Sequence, residues 1–80
     1  MKTRVVELMA RVKGDPSLVG KIGGSSHLVD DVGLDSLQMI NLILLIENEF
    51  GIEIDFDSFQ VDHLSSLDRF TEYLQGLARA

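Results

Sequence analysis

The chain has 80 residues, enough for one domain and too few for a catalytic cleft walled by two subdomains. Thirteen acidic residues against seven basic ones give a net charge of −6, which speaks against a nucleic-acid partner, and the lack of cysteine excludes disulfides, thiolate metal sites and a thiol nucleophile. The longest apolar run, Leu42 to Ile46, is far too short to span a bilayer, and Met1-Lys2-Thr3-Arg4 opens a mixed segment, so a cytoplasmic monomer with no membrane partner is expected.

Val5, Leu8, Met9 and Val12 recur at the spacing of one helix face, which predicts a first helix from about Thr3 to Lys13. Gly14 and Asp15-Pro16 stop it. The stretch from Gly14 to Leu34 holds five of the seven glycines, Gly14, Gly20, Gly23, Gly24 and Gly33, and reads as a long connection. Leu18, Val19, Ile22, Leu28 and Val32 are expected to pin it to the core, with a helical turn near Leu18 to Ile22.

The second helix is predicted from Ser36 to Phe50, without glycine or proline inside and with Gly51 as its stop. At 100° per residue, Met39, Leu42, Ile43, Ile46 and Phe50 gather on one side; Leu37, Ile40, Asn41, Leu44, Glu47 and Asn48 gather on another. Ile52-Glu53-Ile54-Asp55 alternates like a strand but is too short and isolated for a sheet, so it reads as a loop with its isoleucines inward. A short helix is expected around Asp57 to Val61. The last helix is placed near Ser65, where Ser65-Ser66-Leu67-Asp68 fits a capping signal, with Leu67, Phe70, Leu74 and Leu77 on its buried face. The expected fold is all-α: one domain over residues 1–80, a small bundle of three main helices plus one short one, with a long loop between the first two.

The segment that carries chemistry is Asp30-Asp31-Val32-Gly33-Leu34-Asp35-Ser36-Leu37, leading into the second helix. A serine at a helix N-terminus lies where unpaired backbone N–H groups and the helix dipole favour a phosphate. Gly33 permits a tight turn and leaves space beside the serine, and Asp35 caps the helix. Asp-Ser before an apolar helix is also what an ordinary cap looks like.

Gly33-Leu34-Asp35-Ser36-Leu37 resembles the Gly-x-Asp-Ser-Leu signature of the acyl carrier proteins. The likeness extends through Ser26-His27-Leu28-Val29-Asp30-Asp31-Val32 before it and Ile46-Glu47-Asn48-Glu49-Phe50-Gly51-Ile52-Glu53-Ile54 after it. The resemblance implies a non-catalytic carrier whose Ser36 is modified with 4′-phosphopantetheine from coenzyme A by a phosphopantetheinyl transferase, with Gly33 and Asp35 framing the site. Because the chain has no cysteine, the sulfur of a thioester would come with that arm. The resemblance also implies a recognition surface for acyl-processing enzymes such as an acyltransferase or ketosynthase: Leu37, Gln38, Ile40, Asn41, Leu44, Glu47 and Asn48, beside Asp35. Many members shelter acyl chains between their helices; Met39, Ile43, Ile46, Phe59 and Phe70 read here as ordinary packing.

One departure bears on the pathway. Gln38, Asn41 and Asn48 stand where carriers of housekeeping fatty-acid synthesis usually have acids, leaving Glu47 and Glu49 as the carboxylates inside the helix. Different partners are therefore expected, such as those of polyketide or mixed polyketide–peptide assembly. Two alternatives stay open: a peptidyl or aminoacyl carrier, whose signature is more often Gly-Gly-(His/Asp)-Ser-Leu, and an unmodified helical interaction module. No metal is expected. His27 and His63 lack companions at ligand spacing, and Asp55-Phe56-Asp57-Ser58-Phe59-Gln60 has Phe and Gln where a calcium loop needs a ligand and a glycine.

Overall fold

A computed structural model describes residues 1–55 and 59–79. Three α-helices carry the fold: α1 (Lys2–Lys13), α2 (Ser36–Phe50) and α3 (Leu67–Arg79), with 3₁₀ turns at Pro16–Gly20 and Val61–Leu64. No strand occurs among the described residues. None of the helices is long and apolar enough to cross a membrane.

Each helix buries the stripe its spacing dictates. Val5, Leu8 and Met9 of α1, Leu42, Ile43 and Ile46 of α2, and Leu67, Phe70 and Leu74 of α3 meet in one core. Val6 belongs to the same core, and Ala10 is buried as well. Phe59 is half-buried and stands edge-on to Phe70, with ring centroids 6.1 Å apart, a favoured aromatic geometry.

The 14–34 connection is a packed part of the domain. Leu28, Val32 and Leu34 belong to the core, and Leu18 and Ile22 pack against it. The Asp15 carboxylate caps the first 3₁₀ turn by accepting the Ser17 N–H at 3.1 Å. The radius of gyration, 11.4 Å, equals that of a close-packed 80-residue chain, about 11.6 Å, which a loose loop would exceed.

Three boundaries differ from the sequence reading. The helical turn in the connection starts earlier, at Pro16, because proline's fixed φ suits a first helical position. The short helix expected around Asp57 to Val61 falls in part outside the described residues, which omit Phe56, Asp57 and Ser58; Phe59 and Gln60 are not helical, and a 3₁₀ turn runs over Val61–Leu64. The last helix starts at Leu67, with Ser66 as its cap: Ser66 Oγ accepts the Arg69 N–H at 3.1 Å. Ser65 is engaged elsewhere, its hydroxyl donating to the Asp62 carbonyl at 2.7 Å.

Long-range contacts then stitch the connection to α3 and to the 3₁₀ turn before it. The N–H of Leu67 donates to the Ser26 carbonyl and that of Asp68 to the Gly24 carbonyl, both at 2.9 Å, and Leu28 N–H donates to the Leu64 carbonyl at 3.0 Å. Gly24 permits this approach: a Cβ there would come within 3.0 Å of the Asp68 carboxylate. Ile54 is buried and Ile52 half-buried, as their inward reading required.

Candidate functional site

The approach to α2 is a turn wired to itself. His27 N–H donates to Asp31 Oδ2 at 2.7 Å, and His27 Nδ1 accepts the N–H groups of Val29 and Asp30 at 3.1 Å each. Gly33 N–H then closes on the Val29 carbonyl at 3.1 Å, and Leu34 N–H on that of Leu28 at 3.3 Å. Gly33 has φ +81°, a region that costs any residue with a Cβ about 1 kcal/mol or more. With Val32 and Leu34 on either side of Gly33 held in the core, the chain leaves Leu34 directed outward and begins α2 in the open.

Asp35 is the cap. Its Oδ1 accepts the Gln38 N–H at 2.7 Å while Gln38 Oε1 accepts the Asp35 N–H at 3.3 Å, a reciprocal capping box. Ser36 follows as the first helical residue and is exposed. With the cap on Asp35, the Ser36 hydroxyl is not spent on the helix end. By helix geometry the Ser36 and Leu37 N–H groups have no carbonyl within α2 to donate to. A cavity of ≈ 340 Å³ opens beside the serine, lined by Val29, Leu34, Asp35, Ser36, Met39 and Leu64.

Lys13, the last residue of α1, completes the site and was not legible beforehand. Its ammonium donates to the Gly33 carbonyl at 2.9 Å and to Gln38 Oε1 at 3.4 Å. It thus ties the end of α1 to both the turn and the capping box, across 20 and 25 residues of sequence. A lysine at a helix C-terminus carries no local sign of that role, since it equally suits the helix dipole.

Gly33, Asp35 and Ser36 are therefore brought together in one turn. Along α2, Leu37, Ile40, Asn41, Leu44 and Asn48 share an exposed face; Leu37 is 68%, Ile40 51% and Leu44 58% exposed. Gln38 and Glu47 are half-buried and turned to internal work, Gln38 in the capping box and Glu47 accepting the Ile54 N–H on Oε2 at 2.8 Å. Glu49 pairs with Arg4 at 3.0 Å; the guanidinium holds this carboxyl below the usual glutamate range, and the carboxylate raises the arginine in turn. Both histidines accept backbone N–H groups on Nδ1, His63 from Gln60 at 3.0 Å. Among the described residues, no group of three or more potential ligands could hold a metal ion.

The fold and site define a small helical module that presents a serine on the first turn of its central helix. Residues 3–74 match the family model described as the phosphopantetheine attachment site. The chain is 41% identical over 51 residues to the mitochondrial acyl carrier protein of Neurospora crassa, covering 62% of this chain and 36% of that protein. It is 37% identical over 57 residues to the acyl carrier protein of Solidesulfovibrio magneticus, covering 70% of this chain and 73% of that one. The chain belongs to the phosphopantetheine-attachment family of acyl carrier proteins. That family is one of non-catalytic carriers, which hold a covalent 4′-phosphopantetheine and interact with acyl-processing enzymes.

Proposed function

We propose that Ser36 is the attachment point of the arm, and that the chain carries acyl intermediates as thioesters in the cytoplasm for a polyketide or other specialised pathway. The observation that carries the reading is the exposed Ser36 hydroxyl on the first turn of a helix whose cap is already supplied by Asp35. In the modification, Ser36 Oγ forms a bond to the phosphorus that bears pantetheine in coenzyme A. The bond from that phosphorus to adenosine 3′,5′-bisphosphate breaks, and the serine proton passes to a base of the phosphopantetheinyl transferase. The resulting phosphodiester would face the Ser36 and Leu37 N–H groups and the positive end of the α2 dipole. The Lys13 ammonium brings a positive charge to the same turn.

The arm's thiol supplies the sulfur that the chain lacks, and acyltransferase and ketosynthase are the loading and elongating partners. Support for a specialised pathway is the composition of α2, where Glu47 and Glu49 are the carboxylates present and both make internal contacts. Gly33-Leu34-Asp35-Ser36-Leu37 favours an acyl over an aminoacyl cargo.

The test is intact mass after incubation with coenzyme A and a broad-specificity phosphopantetheinyl transferase. The expected result is a gain of one phosphopantetheine in the wild type and none in Ser36→Ala. No gain on a folded sample would replace the reading with an unmodified interaction module. Loading of the modified chain then separates cargoes: acylation by acyltransferases is expected, and clean aminoacylation by adenylating enzymes would overturn that choice.

A further inference from the structure

Attaching the arm to Ser36 adds a phosphodiester, with its permanent negative charge, to a helix that has no cation of its own: α2 contains neither Lys nor Arg. Three of the chain's seven cations are already matched, Lys2 by Asp68, Arg4 by Glu49 and Arg69 by Asp62. Lys13 is held differently. It is half-buried and makes no ion pair among the described residues. The acceptors of its ammonium, the Gly33 carbonyl and Gln38 Oε1, are both neutral. Asp15, two residues on, is turned instead to the Ser17 N–H.

The ammonium lies against the turn that carries the serine. A Cβ on Gly33 would stand 3.6 Å from Nζ. From Nζ, two hydrogen bonds of 3.4 and 3.3 Å lead through Gln38 Oε1 to the N–H of Asp35, the residue before Ser36. That separation falls inside the ~10 Å over which charges act at 0.1 M salt, and partial burial weakens the screening further. In the unmodified chain the two neutral acceptors would be served as well by an uncharged donor, so the charge itself has no use there.

We infer, resting on the Ser36 reading, that Lys13 is the counter-charge of the arm's phosphate, a positioning residue that binds α1 more firmly to the start of α2 once Ser36 is modified. Its bonds to Gly33 and Gln38 hold the ammonium ready beforehand. An attraction that exists only in the folded, modified chain stabilises that form over the unmodified one, and it fades as salt screens it. Lys13→Gln keeps an N–H donor for the turn and loses the charge, whereas Lys13→Arg keeps both.

The experiment is a cycle over wild type, Lys13→Gln and Lys13→Arg, each before and after modification by a broad-specificity phosphopantetheinyl transferase with coenzyme A. Urea unfolding is measured in 0.05 and 0.3 M NaCl. At low salt, modification should raise the folding equilibrium constant about threefold more in wild type than in Lys13→Gln, and that excess should shrink to under about twofold at high salt. Lys13→Arg should follow wild type. A second readout needs no substitution: in wild type, the side-chain nitrogen resonance of Lys13 should move on modification, while that of Lys2, matched by Asp68, stays in place. Equal effects of modification in wild type and Lys13→Gln, an excess that salt does not weaken, or an unmoved Lys13 resonance would overturn the role while leaving Ser36 as the attachment point. No modification of folded wild type would overturn the attachment reading and the role of Lys13 together.

Discussion

The starts of α2 and α3 are written almost alike, Asp35-Ser36-Leu37 and Ser65-Ser66-Leu67, and they use their serines in opposite ways. In α2 the residue before the serine supplies the cap, so Ser36 becomes the first helical residue with its hydroxyl in the open. In α3 the serine is itself the cap, its Oγ held on the Arg69 N–H. The first two N–H groups of α3, those of Leu67 and Asp68, are consumed as well, by the Ser26 and Gly24 carbonyls of the connection. One helix end is capped by the residue before it and left accessible; the other is built into the fold. A one-residue shift of the cap separates a serine whose hydroxyl stays in the open from one whose hydroxyl is spent on the helix end.

The largest effect should come from exchanging the two serines' fates by substitution. Ser36→Ala is expected to abolish modification while changing stability by no more than a few tenths of a kcal/mol, since alanine suits a first helical position. Ser66→Ala should show the reverse, full modification with a loss of about 1 kcal/mol in urea unfolding. If Ser66→Ala lost modification on a folded sample, the division of labour between the two ends would be wrong.

Asp35→Ala sharpens the same comparison from within α2. Removing the cap should cost about 1 kcal/mol in urea unfolding and leave the Ser36 hydroxyl as the nearest replacement acceptor. Modification should therefore slow by more than the stability loss explains, and Asp35→Asn, which retains a capping oxygen, should restore most of both. Equal rates in Asp35→Ala and wild type would show that Ser36 is free irrespective of its neighbour.

Lys13→Met removes the link from α1 while keeping most of the side chain's bulk. Its hydrogen bonds are partly exposed, so a stability loss under about 1 kcal/mol is expected, together with faster amide exchange at Gly33 and Leu34. Unchanged exchange there would mean that the turn's own hydrogen bonds hold it without the lysine.

The smallest effect is electrostatic. Arg4 lowers the folded-state pKa of Glu49 below its unfolded value. The contribution of this pair is thus complete above the ordinary glutamate range and is lost as pH falls through the depressed folded value. Wild type and Glu49→Gln should differ slightly in urea midpoint near pH 7 and converge in acid. Divergence on acidification would contradict the sign. The pair is exposed and lies away from Ser36, so modification should not follow it.

What could be read directly from the chain was whatever depends on near neighbours. The bounds of α2 were legible because an Asp-Ser start, an unbroken apolar stripe and Gly51 all act within a few residues of one another. The buried faces of the three helices followed from spacing alone, as did the inward turn of Ile54. The start of α3 was less legible because two adjacent serines offer the same capping chemistry, and the contacts choosing Ser66 include carbonyls about 40 residues away, at Gly24 and Ser26.

Tertiary structure alone decided the rest. It set the Lys13 ammonium on the Gly33 carbonyl and turned Gln38 and Glu47 from the open helix face to internal partners. It also paired Glu49 with Arg4, 45 residues away. Helical periodicity places a side chain on a face, but a polar group at the edge of that face takes whichever partner the folded chain brings within about 3 Å. That partner comes from another element, so the sequence by itself determined where α2 and its serine lie, and only the packing of α1 and the loops around α2 determined which of its polar groups remain on the surface.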